Sequence, residues 1–206
     1  PYNSPQDGVV RLEDIPISII ERIEILKSSA SSIYGANALG GVINIITKDA
    51  GNLKETKVDV GIGSYNTRKF NLSTVYNWDK ASFLFSYDNL TTDGHRDDPN
   101  QESKLDRNNY FLKYKYDFSD LTSMNLTFRH KNIDSDYPGS DGADDYGSRD
   151  DQSNNLNLNL VQKFNTKDRT LNIYNQSRNL YDRTRSIYSP SGFSLTDLDI
   201  EQSGLS

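Results

Sequence analysis

The sequence predicts a mostly β protein: a run of antiparallel strands from a transmembrane β-barrel, preceded by a small α+β unit. Three observations carry that expectation. From residue 53 onward apolar and polar residues alternate with period 2. The connections between the alternating runs switch between tight turns and long polar loops. Aromatic residues gather at the turn ends of the runs, where a membrane interface would lie.

Residues 1–50 have another texture. The stretches 15–26 and 42–47 are rich in Ile and Val, with Gly35, Gly40 and Gly41 between them. Pro16-Ile17-Ser18-Ile19-Ile20 suits one helical turn, and Arg22-Ile23-Glu24-Ile25-Leu26 suits a strand. Residues 31–39 suit a short helix that Gly40-Gly41 stops. Val42-Ile43-Asn44-Ile45-Ile46-Thr47 is a β-branched run and predicts a buried strand.

The barrel strands follow in order. Val58, Val60 and Ile62 alternate with Asp59, Gly61 and Gly63. Phe70, Leu72, Tyr76 and Trp78 alternate with Lys69, Asn71, Ser73 and Asn77. Tyr110, Leu112, Tyr114, Tyr116 and Phe118 alternate with Asn109, Lys113, Lys115 and Asp117. Met124, Leu126 and Phe128 alternate with Asn125, Thr127 and Arg129, and Leu156, Leu158, Leu160 and Phe164 with Asn155, Asn157, Asn159 and Lys163. Phe111 and Val161 break the polar faces singly. Tight turns are expected at Asp79-Lys80, Ser119-Asp120 and Thr166-Lys167, and long loops near 93–106, 134–151 and 186–197. Trp78, Tyr116, Phe118 and Phe164 stand at the turn ends.

A soluble β-sandwich also alternates, but its strands run to only ~5–6 residues. Charged and amide side chains on nearly every polar face suit a wet lumen. The pattern gives about eight strands, the lower limit for such barrels. A barrel that small is filled by its own side chains and leaves no room for the preceding unit. The chain starts at Pro1-Tyr2-Asn3-Ser4-Pro5 and stops at Gly204-Leu205-Ser206 inside a patterned stretch. A truncated piece of a larger barrel is therefore expected.

Composition removes other classes. The 206 residues hold 23 Lys+Arg, 29 Asp+Glu and 2 His, for a formal net charge of −6, with no Cys. Absence of cysteine excludes a disulfide scaffold, a Cys-ligated zinc or iron–sulfur site and a Cys nucleophile. The acidic balance argues against nucleic acid as a partner. No apolar run reaches the ~18 residues of a transmembrane helix. The mean hydropathy of −0.75 is compatible with a barrel, because half of each strand is polar. There is no nucleophile elbow, P-loop or paired zinc motif, so no enzyme is expected.

The stretch Ile15-Pro16-Ile17-Ser18-Ile19-Ile20-Glu21-Arg22-Ile23-Glu24-Ile25-Leu26-Lys27, followed by Ser32-Ile33-Tyr34-Gly35-Ala36-Asn37-Ala38-Leu39-Gly40-Gly41-Val42-Ile43-Asn44-Ile45-Ile46-Thr47-Lys48, closely resembles the end of the plug domain of TonB-dependent outer-membrane receptors. One departure is Ser28-Ser29 after Lys27, where the family has Gly-Pro. The resemblance implies a 22-stranded barrel with the plug threaded inside. It implies residues 1–50 as the C-terminal part of the plug and 51–206 as the first strands of the barrel, about eight in number. It further implies import of a scarce, bulky nutrient across the bacterial outer membrane. The energy would come from TonB with ExbB and ExbD, through a TonB box upstream of this sequence. Outer-membrane lipid and lipopolysaccharide would surround the barrel. Within the family, Gly63-Ser64-Tyr65-Asn66, Asp117-Phe118-Ser119-Asp120, Asp93-Gly94 and Tyr181-Asp182 are most similar to the branch that imports cobalamin. Ferric-siderophore and haem receptors share the plug motif.

By motif matching, Asn3, Ile20 and Glu21 occupy apical plug loops that meet substrate. An amide, an apolar contact and a carboxylate suit a corrin amide. The plainer reading makes Ile20 plug core and Glu21 a solvated partner of Arg22. No cofactor is required. The aspartates of 93–106 and 134–151 are hard ligands suited to Ca²⁺, and the resemblance implies calcium ordering these loops. The plainer reading is a solvated acidic loop. Asp134-x-Asp136 with Gly139 and Asp145 partly mimics an EF-hand, but Pro138 fills a ligand position, so no residue is assigned as a metal ligand. His95 and His130 lack a partner at ligand spacing. A passive porin-like or surface-binding barrel, and a soluble β-rich adhesin, are the competing classes.

Overall fold

The computed structural model describes residues 15–27, 41–48, 54–94, 103–138, 146–163, 168–185 and 193–205. Ten strands are present among them. Strands β1 (Ile20–Leu26) and β2 (Val42–Thr47) pair as an antiparallel ribbon, after a single 3₁₀ turn at Ile17–Ile19. The remaining eight are β3 (Glu55–Ile62), β4 (Arg68–Asn77), β5 (Ala81–Thr92), β6 (Leu105–Ser119), β7 (Thr122–Pro138), β8 (Tyr146–Lys163), β9 (Asp168–Arg185) and β10 (Phe193–Leu205). They form one antiparallel sheet in which each strand pairs with its sequence neighbour.

The turn and both ribbon strands lie where the Ile-rich patterning puts them. The helix expected over 31–39 falls outside the described residues. The burial expected for residues 42–47 is not found: Ile43 is exposed and the rest of β2 only half-buried. In β1, Ile23, Ile25 and Leu26 are exposed too. A two-stranded ribbon buries little by itself.

The expected turns at Asp79-Lys80 and Ser119-Asp120 are found, the first closed by Trp78 N–H donating to Ala81 O at 2.7 Å. Phe164 and Thr166-Lys167 lie outside the described residues. At the opposite end β3 and β4 meet in a two-residue turn. Tyr65 (φ 57°) and Asn66 (φ 53°) are both left-handed there, and Thr67 N–H donates to Ser64 O at 3.1 Å. That is the hairpin geometry whose twist matches paired strands. Asp93 N–H, from the end of β5, donates to Tyr65 O at 2.9 Å and holds the strained position.

The loops are shorter than expected. Residues 134–138 and 146–151 belong to β7 and β8, and β10 begins at Phe193 rather than beyond 197. β7, β8 and β9 therefore reach 17, 18 and 18 residues. Their outer ends lack the regular apolar alternation, and pairing continues past the point where it stops.

The polarity of the sheet is inverted relative to a soluble protein. The packed face carries Asn71 and Ser73 on β4, Ser86 and Asp88 on β5, Asn109 on β6, Lys131 on β7, and Arg149, Asp151 and Ser153 on β8. The open face carries Val60, Ile62, Phe70, Leu156 and Ile173, with Ile62 90% exposed. Register keeps like with like: Thr74, Phe85, Leu112, Phe128 and Leu156 lie opposite one another across five strands.

Two aromatic belts bound the apolar band. Near the tight turns, Trp78 lies between Tyr76 (ring centroids 4.6 Å) and Phe83 (5.9 Å), and Tyr116 meets Phe118 edge-on at 4.9 Å. Toward the loops, Phe70, Tyr87, Tyr110 and His130 form a ladder of ring contacts across β4–β7. Beyond it the outer face turns to Asn108, Asp106, Asn132, Asp134, Gln152 and Asp150.

Candidate functional site

The inner face of the sheet and the segment docked on it form the site. The 3₁₀ turn lies against β4 and β5. Ile15 and Ile19 pack with Val75, Leu84 and Phe111 in one buried cluster, and Ile20 and Ile45 pack against it. The sheet residues come from adjacent inward positions of three strands: Val75 lies opposite Leu84, and Phe111 opposite Ser86. Phe111, an exception to the polar alternation of β6, is the ring that this segment rests on.

Polar contacts surround the apolar patch. Ser18 Oγ and Ser86 Oγ are 2.9 Å apart, and the Asn71 amide donates to Ser18 Oγ at 3.1 Å. Lys113 Nζ donates to the Lys48 carbonyl at 3.4 Å, just past the end of β2. Lys48 N–H donates to Ile19 O at 2.8 Å, which ties the ribbon to the turn. These bonds satisfy groups that the contact removes from water.

Toward the loops the inner face becomes ionic. Asp88 accepts from Arg107 Nη2 at 3.2 Å. Asp151, 1% exposed, accepts from Lys131 Nζ at 2.8 Å and from Arg178 through Nε at 2.9 Å and Nη2 at 2.6 Å. The two-pronged Arg178 contact is the strong, planar form of this pairing.

Of the substrate residues expected from the sequence, Asn3 lies outside the described residues. Ile20 lies at the end of the 3₁₀ turn, half-buried against the Ile19–Phe111 cluster. Glu21 is exposed and bonds to Arg22 at 3.2 Å. The two do not converge with the inner-wall ion pairs. Arg22 also bonds Glu24 at 2.8 Å, and the Asn44 amide donates to the same carboxylate at 3.2 Å. The Arg22 guanidinium, with help from Asn44, holds the Glu24 carboxyl below its ordinary value.

Calcium was expected in loops whose central residues, 95–100, 139–145 and 186–192, lie outside the described residues. Among the described residues no three carboxylate or imidazole groups converge as a cation site. Asp88 and Asp151 are held by cations, so the described wall does not fit a calcium ion. His95 lies outside the described residues, and His130 Nδ1 is 2.7 Å from Asn154 Oδ1 on the outer face.

The inner-wall ion pairs were not singled out from the sequence. Their signal is present, however. Asp106-Arg107 and Arg149-Asp150 place opposite charges on opposite faces of one strand.

The comparisons agree with this geometry. The TonB-dependent Receptor Plug Domain model matches residues 1–42, which include the 3₁₀ turn and β1. The vitamin B12 transporter BtuB of Vibrio cholerae serotype O1 is 37% identical over 67 residues, 32% of this chain and 11% of the relative. The vitamin B12 transporter BtuB of Vibrio vulnificus strain CMCP6 shows the same identity over the same shares. The alignment thus spans only about a tenth of either relative's length. The first 42 residues thus carry the plug-domain pattern of TonB-dependent receptors, and part of that segment is seated on the polar face of an inside-out sheet.

Proposed function

We propose that the chain is part of an outer-membrane receptor that imports a scarce, bulky nutrient, cobalamin, by rearranging a plug inside a water-filled barrel. In this reading residues 1–50 are the last part of the plug and 51–206 the first strands of a 22-stranded barrel. The observation that carries it is the inverted sheet, with a plug segment bonded to its polar face. An apolar outer band between aromatic belts matches lipid, and a charged inner wall matches water. A porin shares those two features but has no use for a docked plug.

TonB, supplied with energy by ExbB and ExbD, would pull on the plug, and lipopolysaccharide would face the outer belt. No catalysis is called for. Cobalamin is favoured over a ferric siderophore because the matched transporters are named for vitamin B12. Calcium in the acidic loops belongs to the same reading.

Uptake tests it. Cells carrying the full receptor should accumulate labelled cobalamin only when TonB is functional, and calcium should tighten binding to the purified receptor. Uptake that ignores TonB would make the barrel a passive pore. TonB-dependent uptake of a ferric siderophore without cobalamin would keep the receptor and change its cargo.

A further inference from the structure

Toward the loops, the apolar outer band ends at an asparagine on each of five successive strands. On β5 Tyr87 is followed on the same face by Asn89, and on β6 Tyr110 by Asn108. On β7 the belt ring His130 is followed by Asn132, on β8 Leu156 by Asn154, and on β9 Ile173 by Asn175. The line they trace is oblique to the hydrogen-bonded rows. Asn89, Asn108 and Asn132 lie opposite one another. Asn154 lies opposite His130, one outward position lower, and Asn175 lies opposite Leu156, one lower again. Barrel strands tilt against the barrel axis, so a plane parallel to the bilayer must cross the rows at a slant. The asparagines therefore follow a membrane level rather than a strand register. Asparagine is disfavoured in strands, and its return at one level on five of them points to a partner outside the sheet.

Part of this collar is set by its own bonds. Asn108 Oδ1 accepts from the Asn89 amide at 2.9 Å and from the Tyr87 hydroxyl at 3.1 Å, and the Asn108 amide donates to Asp106 at 2.9 Å. Asn154 Oδ1 lies 2.7 Å from His130 Nδ1. Asn132 and Asn175 are exposed. Each offers two N–H donors and a carbonyl acceptor. An ester phospholipid brings its carbonyl and phosphate oxygens to this level, which answer the donors and leave the amide carbonyl unmatched. A sugar with amide-linked fatty chains brings N–H and hydroxyl donors as well as carbonyl acceptors. Charge points the same way. On β5–β8 no outward Lys or Arg lies between the apolar edge and the row Asp106, Asp134 and Asp150, so no cation there awaits a phosphate.

We propose that this collar binds the headgroup of a sugar lipid with amide-linked acyl chains, in the leaflet on the loop side. The collar is continuous with the apolar band, which would take the chains of the same molecule. The proposal rests on the outer-membrane reading above and deepens it, by naming the lipid chemistry that the outer belt selects.

Native mass spectrometry of the full-length receptor tests it, in detergent with equal amounts of monophosphoryl lipid A and phosphatidylglycerol. Both lipids carry phosphate, and only the first brings amides and sugar rings. The parent receptor should retain lipid A about tenfold over phosphatidylglycerol. Asn132→Leu combined with Asn175→Leu should remove most of that preference, and Gln at the same two positions should keep most of it. Equal retention of the two lipids by the parent, or parental preference in the folded Leu variant, would overturn the proposal. Failure of the outer-membrane reading has a different signature: a receptor that holds neither lipid and stays monodisperse without detergent.

Discussion

Phe111 is 6% exposed on a strand face that otherwise carries Asn109, Lys113 and Lys115. Its burial depends on Ile15 and Ile19, which belong to another part of the chain. Phe111→Ala should therefore loosen the docked segment more than the sheet. The cavity should cost about 3 kcal/mol, read as earlier protease cleavage near residues 15–20 while the strands of the sheet stay protected. Glu24 gives a prediction of opposite character, because it is fully exposed. Its folded pKa lies below the ordinary 4.5, chiefly through the Arg22 hydrogen bond. A depressed carboxylate pKa stabilises the ribbon above the unfolded value, and that contribution is lost as pH falls through the folded one. The ¹³C carboxyl shift of Glu24 should titrate below 4.5, and Arg22→Gln should move the midpoint back up. A midpoint unchanged by Arg22→Gln would mean that the pair does not form in solution.

At the scale of elements, the strands were legible in the sequence wherever one face was apolar. Tyr110 through Phe118 and Leu156 through Leu160 announce themselves by period 2. The ends of β7 and β8 did not, because Asp134, Asp136, Asp150 and Gln152 are polar neighbours of polar residues. Backbone pairing alone extends those strands, and composition carries no mark of it. The docked turn was legible as a turn, but not as the partner of Ser86 and Phe111, since those contacts span 68 and more residues. The inner ion pairs escaped for the same reason: Lys131 and Arg178 meet Asp151 only after register is fixed. The extended strands carry a direct test in a chain without cysteine. Asp134→Cys, beyond the upper aromatic belt, should react with a membrane-impermeant maleimide. Leu126→Cys, in the apolar band, should resist it in lipid. Equal labelling at both positions would remove the membrane boundary drawn here at Tyr110 and His130.

For the whole molecule the decisive fact is an eight-stranded sheet whose first and last members, β3 and β10, each have one sheet neighbour among the described residues. Val58, Val60 and Ile62 on β3 are also exposed. Unpaired strand edges next to an apolar face recruit other chains. The 206-residue chain by itself should therefore aggregate in plain buffer and stay dispersed only with detergent. Size-exclusion chromatography with light scattering decides this, and a monodisperse species without detergent would contradict it.

The aromatic belts also set a thickness. On β6, Tyr110 and Phe118 stand eight residues apart, roughly 26 Å along the strand. At the ~40° tilt usual for barrel strands, that is about 20 Å along the membrane normal. An ordinary bilayer core measures ~30 Å. Such a mismatch costs a fraction of a kcal/mol per Å, spread over every lipid around the rim. Short-chain lipids would meet the belts without stretching or thinning, whereas long-chain lipids would have to compress. In the barrel reading, that spacing would favour a thin membrane over a thick one.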